Sequence, residues 1–244
     1  MSEQGGWFVA GATGYTGRAV VKLLAQQGQP CVAHVRPDSA QLQRWREDFG
    51  SLGVQVDSTH WEADAMQARF LELRPRGVFA LLGTTRKRAQ SAGVSAAQHY
   101  QDVDYGLTKL LIDAVEGLGE SAGRRFVYLS SMGVSEGTRS AYLSARARCE
   151  AALRQSSLDY LVARPSFITG PTREERRLGE RYAASVVDAC LTALSWVGWR
   201  KPKQSFGSID DEGLARALLA GAQDPSLSRC VLHAAQLQEL ARMQ

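Results

Sequence analysis

The amino-terminal part of the chain alternates between two hydrophobic patterns. Short apolar runs typical of buried strands cover residues 7–10, 31–35 and 54–62. Between them, residues 18–27 and 39–49 carry apolar positions at the 3.6-residue period of an amphipathic helix. Alternating strands and helices of this kind predict a parallel sheet with right-handed crossover connections.

The same alternation continues through the middle of the chain. The elements predicted there are strands over 77–82, 125–129 and 160–163 and helices over 96–118 and 142–150. The run at 77–82 is apolar throughout, as expected for a central strand that is covered on both faces. Regular alternation stops between residues 172 and 207. It resumes with a helix over 208–221, capped at Asp210 or Asp211, and a strand near 230–233.

These patterns predict an α/β fold in which residues 1–244 form one Rossmann-like domain with a doubly wound parallel sheet. We expect a cofactor-binding core of about 7–165 and 208–235, and a small irregular substrate cap of about 166–207. The cap includes an apolar stretch at 185–199 that is too short to cross a bilayer comfortably. We therefore expect it to cover the substrate or contact a second subunit, and we do not expect a membrane anchor.

A glycine-rich segment joins the first predicted strand to the first predicted helix. It has the spacing G-x-x-G-x-x-G. In dinucleotide-binding folds one glycine makes the tight turn, one lets the backbone approach the pyrophosphate and one allows close helix packing. The amides at the start of the following helix then face the phosphates. The residues predicted to bind a dinucleotide here are Gly11, Thr13, Gly14, Tyr15, Thr16 and Gly17.

The end of the second strand bears on which dinucleotide binds. Folds that bind NAD place an acidic residue there, about twenty positions after the glycines, to hold the adenosine ribose. This chain has Arg36 instead, with Asp38 two residues later. Because arginine can pair with a 2′-phosphate, NADP(H) is favoured over NAD(H), although a solvated loop cation also explains Arg36. Asp64 is expected either to accept from the adenine amino group or to cap a helix.

Small polar residues follow two later strands. Gly83, Thr84 and Thr85 come after the fourth predicted strand, and Ser130 and Ser131 come after the fifth. Open α/β sheets bind their ligands at the carboxyl ends of the strands. Both groups therefore belong to the predicted cofactor and substrate site.

The glycine segment, L-G-T-T-R at 82–86, L-S-S at 129–131, the helix carrying Tyr142, Arg146 and Glu150, and R-P at 164–165 together resemble atypical short-chain dehydrogenases. Within this NAD(P)H-binding Rossmann family, they are similar in particular to the HIV Tat-interacting oxidoreductase and its bacterial relatives. The resemblance covers about residues 7–171. It implies hydride transfer to or from a carbonyl or alcohol of unidentified structure.

The resemblance also implies roles for individual residues. Ser131 would orient the substrate carbonyl and Tyr142 would be the acid-base group. The family places a lysine four residues after the tyrosine, where it supports ionisation of the phenol and bonds the nicotinamide ribose. Arg146 occupies that position here, and its planar fork has a different reach from a lysine ammonium. The residues expected beside the nicotinamide are Gly83, Thr84, Thr85, Ser130, Arg146, Pro165, Ser166 and Phe167.

Two other classes of function remain open. The first is a cofactor-sensing protein like the NmrA regulators, which keep the glycine loop and lack the catalytic tyrosine and lysine. The second is an interaction protein without turnover.

A net charge of +4 with dispersed arginines argues against a nucleic-acid partner. Four cysteines without C-x-x-C spacing suggest no metal site. We expect a cytoplasmic protein, because the amino terminus lacks a signal-peptide pattern. We expect it to be a monomer or homodimer.

Overall fold

The computed structural model describes residues 5–84, 93–119, 123–166, 168–169 and 209–243. Its strands are β1 (Gly5–Ala10), β2 (Cys31–His34), β3 (Gln55–Asp57), β4 (Pro75–Ala80), β5 (Arg125–Leu129), β6 (Asp159–Arg164), β7 (Ile168–Thr169), β8 (Ile209–Asp210) and β9 (Cys230–His233). Its helices are α1 (Tyr15–Gln26), α2 (Leu42–Gly50), α3 (Ala63–Leu73), α4 (Ala96–His99), α5 (Leu107–Glu116), α6 (Ala141–Gln155), α7 (Asp211–Gln223) and α8 (Ala234–Arg242). A π-helical turn, Tyr100–Gly106, joins α4 to α5.

Seven of these strands form one parallel sheet in the order β3-β2-β1-β4-β5-β6-β9. The strand order reverses direction between β1 and β4, and open α/β sheets bind dinucleotides at such a switch point. The predicted Rossmann-like parallel sheet is therefore confirmed. Two further short strands, β7 and β8, pair with each other in parallel. Most of the predicted cap lies outside the described residues.

Two apolar clusters cover the two faces of the sheet. Successive residues of a strand point to opposite faces, so Trp7 and Val9 pack on one side while Phe8 packs on the other. Helices α1, α7 and α8 cover the first face, and α3, α5 and α6 cover the second. The strand ends are thereby held rigidly, which fixes the edge where the predicted site residues lie.

Several elements differ from their predicted bounds. The strand expected over 54–62 ends at Asp57, because the Asp57 carboxylate accepts from the backbone amide of Thr59 and turns the chain. The helix expected over 96–118 contains the π turn Tyr100–Gly106. The later helix is capped by Asp210, whose side chain accepts from the Gly213 amide, as one of the two predicted caps.

One buried arginine ties the last part of the chain to the sheet. The Arg125 side chain is 6% exposed and forms a 2.7 Å ion pair with Asp159 at the start of β6. It also donates to the carbonyl oxygens of Gly221 at 3.0 Å, Ala222 at 3.2 Å and Leu227 at 3.1 Å. The bonds to Gly221 and Ala222 satisfy carbonyl groups in the last turn of α7 that have no partner within the helix, and the bond to Leu227 holds the loop that follows. Within the described residues, no helix is both long enough and apolar enough to cross a membrane.

Candidate cofactor and active site

Two positions of the glycine turn have no room for a side chain of their own. Gly11 has a φ of +81°, and a Cβ there would lie 2.6 Å from the carbonyl oxygen of Leu81. A Cβ on Gly17 would lie 2.1 Å from the carbonyl oxygen of Gly11. The Gly14 amide donates to that same oxygen at 2.9 Å and closes the turn. Glycine is therefore required at positions 11 and 17, because any Cβ there would overlap a backbone oxygen.

The start of α1 can accept an anion. Gly14 occupies the N-cap position, is exposed, and supplies no capping side chain. The first turn of the helix contains no acidic residue. Backbone amides of a first helical turn have no acceptor inside the helix and carry partial positive charge. Thr13 is half-buried beside them and Thr16 is buried beneath them, so the turn fits the diphosphate of a dinucleotide.

Arg36 follows β2 and Asp64 lies at the start of α3, where the sequence predicts that the adenosine binds. The Arg36 side chain is 64% exposed, and its Nη1 lies 3.6 Å from the Asp38 carboxylate. An exposed pair of this kind holds its partners weakly, so Arg36 can turn to another anion. Asp64 is exposed in the first turn of α3, where Glu62 occupies the N-cap position. The helix-cap alternative for Asp64 is therefore wrong.

His34, Asp57 and Arg69 form a network of polar contacts that holds the loop after β3 and that was not predicted from the sequence. His34 is 3% exposed, and its Nε2 lies 2.9 Å from the carbonyl oxygen of Thr59. Burial lowers the pKa of His34, against the influence of the Thr59 carbonyl and Asp57. Burial alone would raise the pKa of Asp57, but bonds from Thr59 and from Arg69 at 2.6 Å hold it below its usual value. This network fixes the loop beside the end of β2.

At the other end of the crevice, the segment after β4 packs directly against Arg146. A Cβ on Gly83 would lie 3.0 Å from Arg146 Nη2. Thr84 is buried next to Gly83. Thr85 and Phe167, which were predicted to line the same place, lie outside the described residues. The structure thus joins the start of the L-G-T-T segment to the helix that carries the predicted catalytic residues.

The Arg146 guanidinium is turned into the protein. Its Nη2 donates to Oδ1 of Asp104 at 2.8 Å and to the carbonyl oxygen of Leu82 at 3.2 Å. Its Nη1 donates to the Leu129 carbonyl and, at 3.4 Å, to the Tyr128 hydroxyl. The side chain is only 6% exposed. Its planar fork therefore spans the ends of two neighbouring strands, a geometry that one lysine ammonium could not reproduce.

Tyr142 lies one helical turn before Arg146 and is half-buried. The Arg146 Cζ is 5.2 Å from the centroid of the Tyr142 ring. The ring also meets Tyr100 edge to face, with 5.4 Å between the ring centroids. A cation within about 6 Å of an aromatic centroid attracts the ring. Arg146 and Tyr100 together hold the Tyr142 ring in place.

The two predicted serines have different surroundings. Ser130 donates to Glu150 Oε1 at 2.6 Å, and Arg164 Nε donates to the same oxygen at 2.9 Å. The hydroxyl of Ser131 makes a longer bond of 3.2 Å to the Met132 carbonyl. The Met132 amide donates to the carbonyl oxygen of Pro165 at 3.1 Å, which brings the R-P turn beside both serines.

The predicted site residues therefore fall into two connected groups. The glycine turn contacts the Leu81 carbonyl, the next two residues contact Arg146, and Arg146 lies beneath Tyr142. The second group joins Ser130, Ser131 and Pro165, with Ser166 half-buried after it. Sequence reasoning missed Asp104, which pairs with Arg146 across 42 positions of the chain. Its only local signal is an acidic residue within an otherwise apolar helical stripe.

A family model for NAD(P)H-binding proteins matches residues 11–189, which is more than half of the chain. The chain belongs to the NAD(P)H-binding family. The match begins at the first glycine of the turn and includes the segments that carry Gly83, Ser131, Tyr142 and Arg146. The family match therefore agrees with the prediction that the glycine turn binds a dinucleotide. It leaves open which nicotinamide cofactor is bound.

One curated protein and several solved structures are similar to this chain. The chain is 28% identical over 166 residues to a ceramide reductase from Caulobacter vibrioides, a match that covers 67% of this chain and 46% of that protein. The chain thus spans about half the length of this curated relative. A proposed NAD-dependent epimerase/dehydratase from Bacillus halodurans has the same fold, with a TM-score of 0.66 at 18% identity, covering 96% of this chain and 98% of that one.

An anaerobillin reductase from Escherichia coli O157:H7 also shares the fold, with a TM-score of 0.59 and 19% identity. The alignment covers 92% of this chain and 94% of that chain. Identity at this level shows a common architecture.

Proposed function

We propose that this protein is an NADP(H)-dependent oxidoreductase of the atypical short-chain dehydrogenase type, related to the group of the HIV Tat-interacting oxidoreductase. The observation that carries the proposal is the start of α1, which has no capping side chain. Its turn has no room for a Cβ at Gly11 or Gly17, and it opens at the same sheet edge as Ser131 and Tyr142. An anion-binding turn and a hydroxyl pair at one edge suit a dinucleotide beside a carbonyl or alcohol.

The residues present fit each part of the cofactor. The glycine turn would hold the diphosphate, and the Arg36 guanidinium would pair with a 2′-phosphate. Gly83, Thr84, Pro165 and Ser166 would flank the nicotinamide. When bound, the cofactor supplies or accepts the hydride.

The side chains of this chain would perform the proton transfer. Ser131 would donate a hydrogen bond to the carbonyl oxygen, and the Tyr142 hydroxyl would deliver a proton to that oxygen during reduction or remove it during oxidation. Arg146 would place a positive charge beneath the Tyr142 ring, at the 5.2 Å observed. The buried position of Arg146 differs from that of a lysine reaching the nicotinamide ribose. We expect Arg146 to act by positioning Tyr142.

The substrate we propose is a small carbonyl compound or the corresponding alcohol. The similarity to a ceramide reductase supports a reduction and does not define the substrate here. We further propose that the protein acts in the cytoplasm as a monomer or homodimer, with no nucleic-acid or membrane partner.

A cofactor-sensing role is the second candidate, and one observation favours it. The hydrogen bonds described for the Arg146 fork are all to groups inside the protein, so this cation is not presented to a ribose as a lysine in its place would be. A sensor would bind the dinucleotide and change partner binding without hydride transfer.

Titration with NADPH, followed by a panel of aldehydes and ketones, separates the two candidates. An oxidoreductase consumes NADPH with at least one carbonyl, and Tyr142→Phe should then lower kcat by about 10²- to 10⁴-fold with NADPH affinity nearly unchanged. The matched control is Tyr160→Phe. Tyr160 lies at the start of β6, at the sheet edge opposite the predicted site, so this change should leave kcat unaltered. Binding of NADPH without turnover on any compound supports the sensor. A fully active Tyr142→Phe variant would show that another group is the acid.

A further inference from the structure

One buried carboxylate at the ligand edge has no part in the function proposed above. Asp104 lies on the π turn, and its side chain is 0% exposed. The backbone carbonyl of Asp104 accepts from the Thr108 hydroxyl at 2.7 Å and from the Cys149 thiol at 3.2 Å. Single π turns inside α-helices are rare and occur frequently at functional sites. These side-chain bonds stabilise the turn that directs Asp104 inward.

The Asp104 carboxylate contacts both halves of the catalytic region. Oδ1 accepts from Arg146 Nη2 at 2.8 Å. Burial raises the pKa of Asp104, while Arg146 and the backbone of Thr84 both act to lower it. A Cβ on Gly83 would lie 3.8 Å from Oδ1. Asp104 is therefore in contact with the tyrosine-bearing helix and with the segment on which the nicotinamide would rest.

The charge of Asp104 determines where the Arg146 guanidinium lies. The other groups that accept from Arg146 are the Leu82 and Leu129 carbonyls and the Tyr128 hydroxyl, none of which carries a negative charge. A buried guanidinium without an opposite charge is strongly unfavourable. Loss of the carboxylate would therefore release Arg146 from beneath Tyr142, because solvation would favour an exposed position.

The cluster also has unused hydrogen-bonding capacity. Asp104 Oδ2, Arg146 Nε and Thr84 Oγ1 are buried, and each has no hydrogen-bond partner within the described part of the chain. Oδ2 of Asp104 can accept a hydrogen bond, Nε of Arg146 can donate one, and the Thr84 hydroxyl can do both. A buried polar atom without a partner is unfavourable, so the cluster is suited to one further polar group of a bound molecule.

We propose that Asp104 is a positioning residue for the hydride-transfer reaction, acting through Arg146 on Tyr142 and through Thr84 on the nicotinamide segment. The inference rests on the proposed oxidoreductase function. It assigns the arginine in the lysine position a partner, the π-turn carboxylate, so that Asp104 and Arg146 work as one unit.

Asp104→Asn tests this assignment, with bound NADPH as the probe. The variant keeps the size of the side chain and removes its charge. We expect NADPH to bind, with a changed emission maximum and intensity of its reduced nicotinamide, since the ring environment changes. With a carbonyl that the unmodified protein reduces, kcat should fall about 10²-fold, as expected for misplacement by about 1 Å, and KM should stay nearly constant.

A double-mutant cycle shows whether the two residues act together. Arg146→Met should produce a similar loss of kcat, and the combination with Asp104→Asn should be no worse than the poorer single variant. Losses that multiply would show independent roles and would overturn the proposal.

The matched control is Asp159→Asn, which breaks the 2.7 Å pair with Arg125 at the opposite end of the sheet. It should lower Tm and leave NADPH emission and kcat unchanged. If Asp104→Asn does not fold, the double variant Asp104→Leu/Arg146→Met replaces it, because removing both charges leaves no unpaired buried ion. Unmodified emission and kcat in that variant would also overturn the proposal.

The remaining outcomes separate the two proposals. A folded Asp104→Asn variant with unmodified emission and kcat overturns the positioning role and leaves the oxidoreductase proposal intact. Failure of the unmodified protein to bind NADPH or to reduce any carbonyl overturns both.

Discussion

Ser130 donates a 2.6 Å hydrogen bond to Glu150, a carboxylate that also accepts two bonds from Arg164. These contacts join the end of β5, the middle of α6 and the end of β6. Glu150 is 1% exposed, so its charge depends on these donors. The Ser130 hydroxyl is therefore occupied by a structural bond, whereas the Ser131 hydroxyl makes only a 3.2 Å contact to a neighbouring carbonyl.

Substitution by alanine should lower stability at Ser130 and should lower kcat at Ser131. Ser130→Ala removes a donor from a buried carboxylate and should lower the free energy of unfolding by about 1–3 kcal/mol. Ser131→Ala should lower kcat with little loss of stability, because its bond is long and its proposed partner is the substrate. Urea unfolding and carbonyl reduction measure the two effects. The assignment would be reversed by an inactive, stable Ser130→Ala variant beside an active Ser131→Ala variant.

Gly17→Ala should abolish cofactor binding. Its Cβ would lie 2.1 Å from the Gly11 carbonyl oxygen, so the turn or the start of α1 must move. Gly50→Ala is the control, since a Cβ at the end of α2 meets no atom within 4 Å and should be neutral or stabilising by up to about 1 kcal/mol. NADPH fluorescence titration and thermal unfolding distinguish them. Unchanged NADPH affinity in Gly17→Ala would exclude this turn as the phosphate site.

Arg36→Ala should weaken NADPH more than NADH. Loss of one charged hydrogen bond to the 2′-phosphate corresponds to about 1.5–3 kcal/mol of binding free energy. Arg44→Ala is a matched control, because Arg44 is also exposed and also paired with an aspartate, Asp48, at 3.5 Å. Calorimetric titration with both cofactors gives the comparison. Equal NADPH and NADH affinities in the unmodified protein would remove the basis for NADP(H) preference.

The protein should lose stability on mild acidification because of His34. Burial lowers the His34 pKa below its ordinary value of 6.5, so the unfolded chain binds this proton more readily than the folded one. Stability is then present above about pH 6.5 and decreases as pH falls, by at most about 1.4 kcal/mol per pH unit for one proton.

His34→Gln should reduce this pH dependence between about pH 7.5 and 5.5, because glutamine has no titrating group there. His60→Gln, at an exposed histidine, should retain it. Urea unfolding at several pH values measures the slope. An identical slope in His34→Gln and the unmodified protein would exclude His34 as its source.

Local patterns in the sequence were sufficient for the sheet and for the glycine turn. The strand predicted at 125–129 is Arg125–Leu129 in the structure, because the apolar run 126–129 suits a strand covered on both faces and polar residues bound it on either side. The glycine turn was predictable because its backbone requirements are carried by three closely spaced residues. Helical spacing also placed Tyr142, Arg146 and Glu150 on one face of α6.

The partners of those residues were not predictable from local patterns. Asp104 lies 42 positions from Arg146, and the π turn hardly disturbs the apolar periodicity of its helix. The arginine at the position where the resembling family has lysine is explained by the buried carboxylate that pairs with it, which local spacing does not reveal. The difference between Ser130 and Ser131 was also not predictable from their sequence positions, since it depends on Glu150 reaching only one of them.

The edge strand β9 lies beyond residue 189, where the match to the family model ends. A chain cut at that point would leave β6, with its buried Leu161 and Val162, as an unpaired sheet edge. It would also deprive Arg125 of the carbonyl groups of 221–227 that surround its charge. Open apolar edges pair with other chains. The family boundary is therefore not a folding boundary, and a fragment ending there should aggregate through its newly exposed strand.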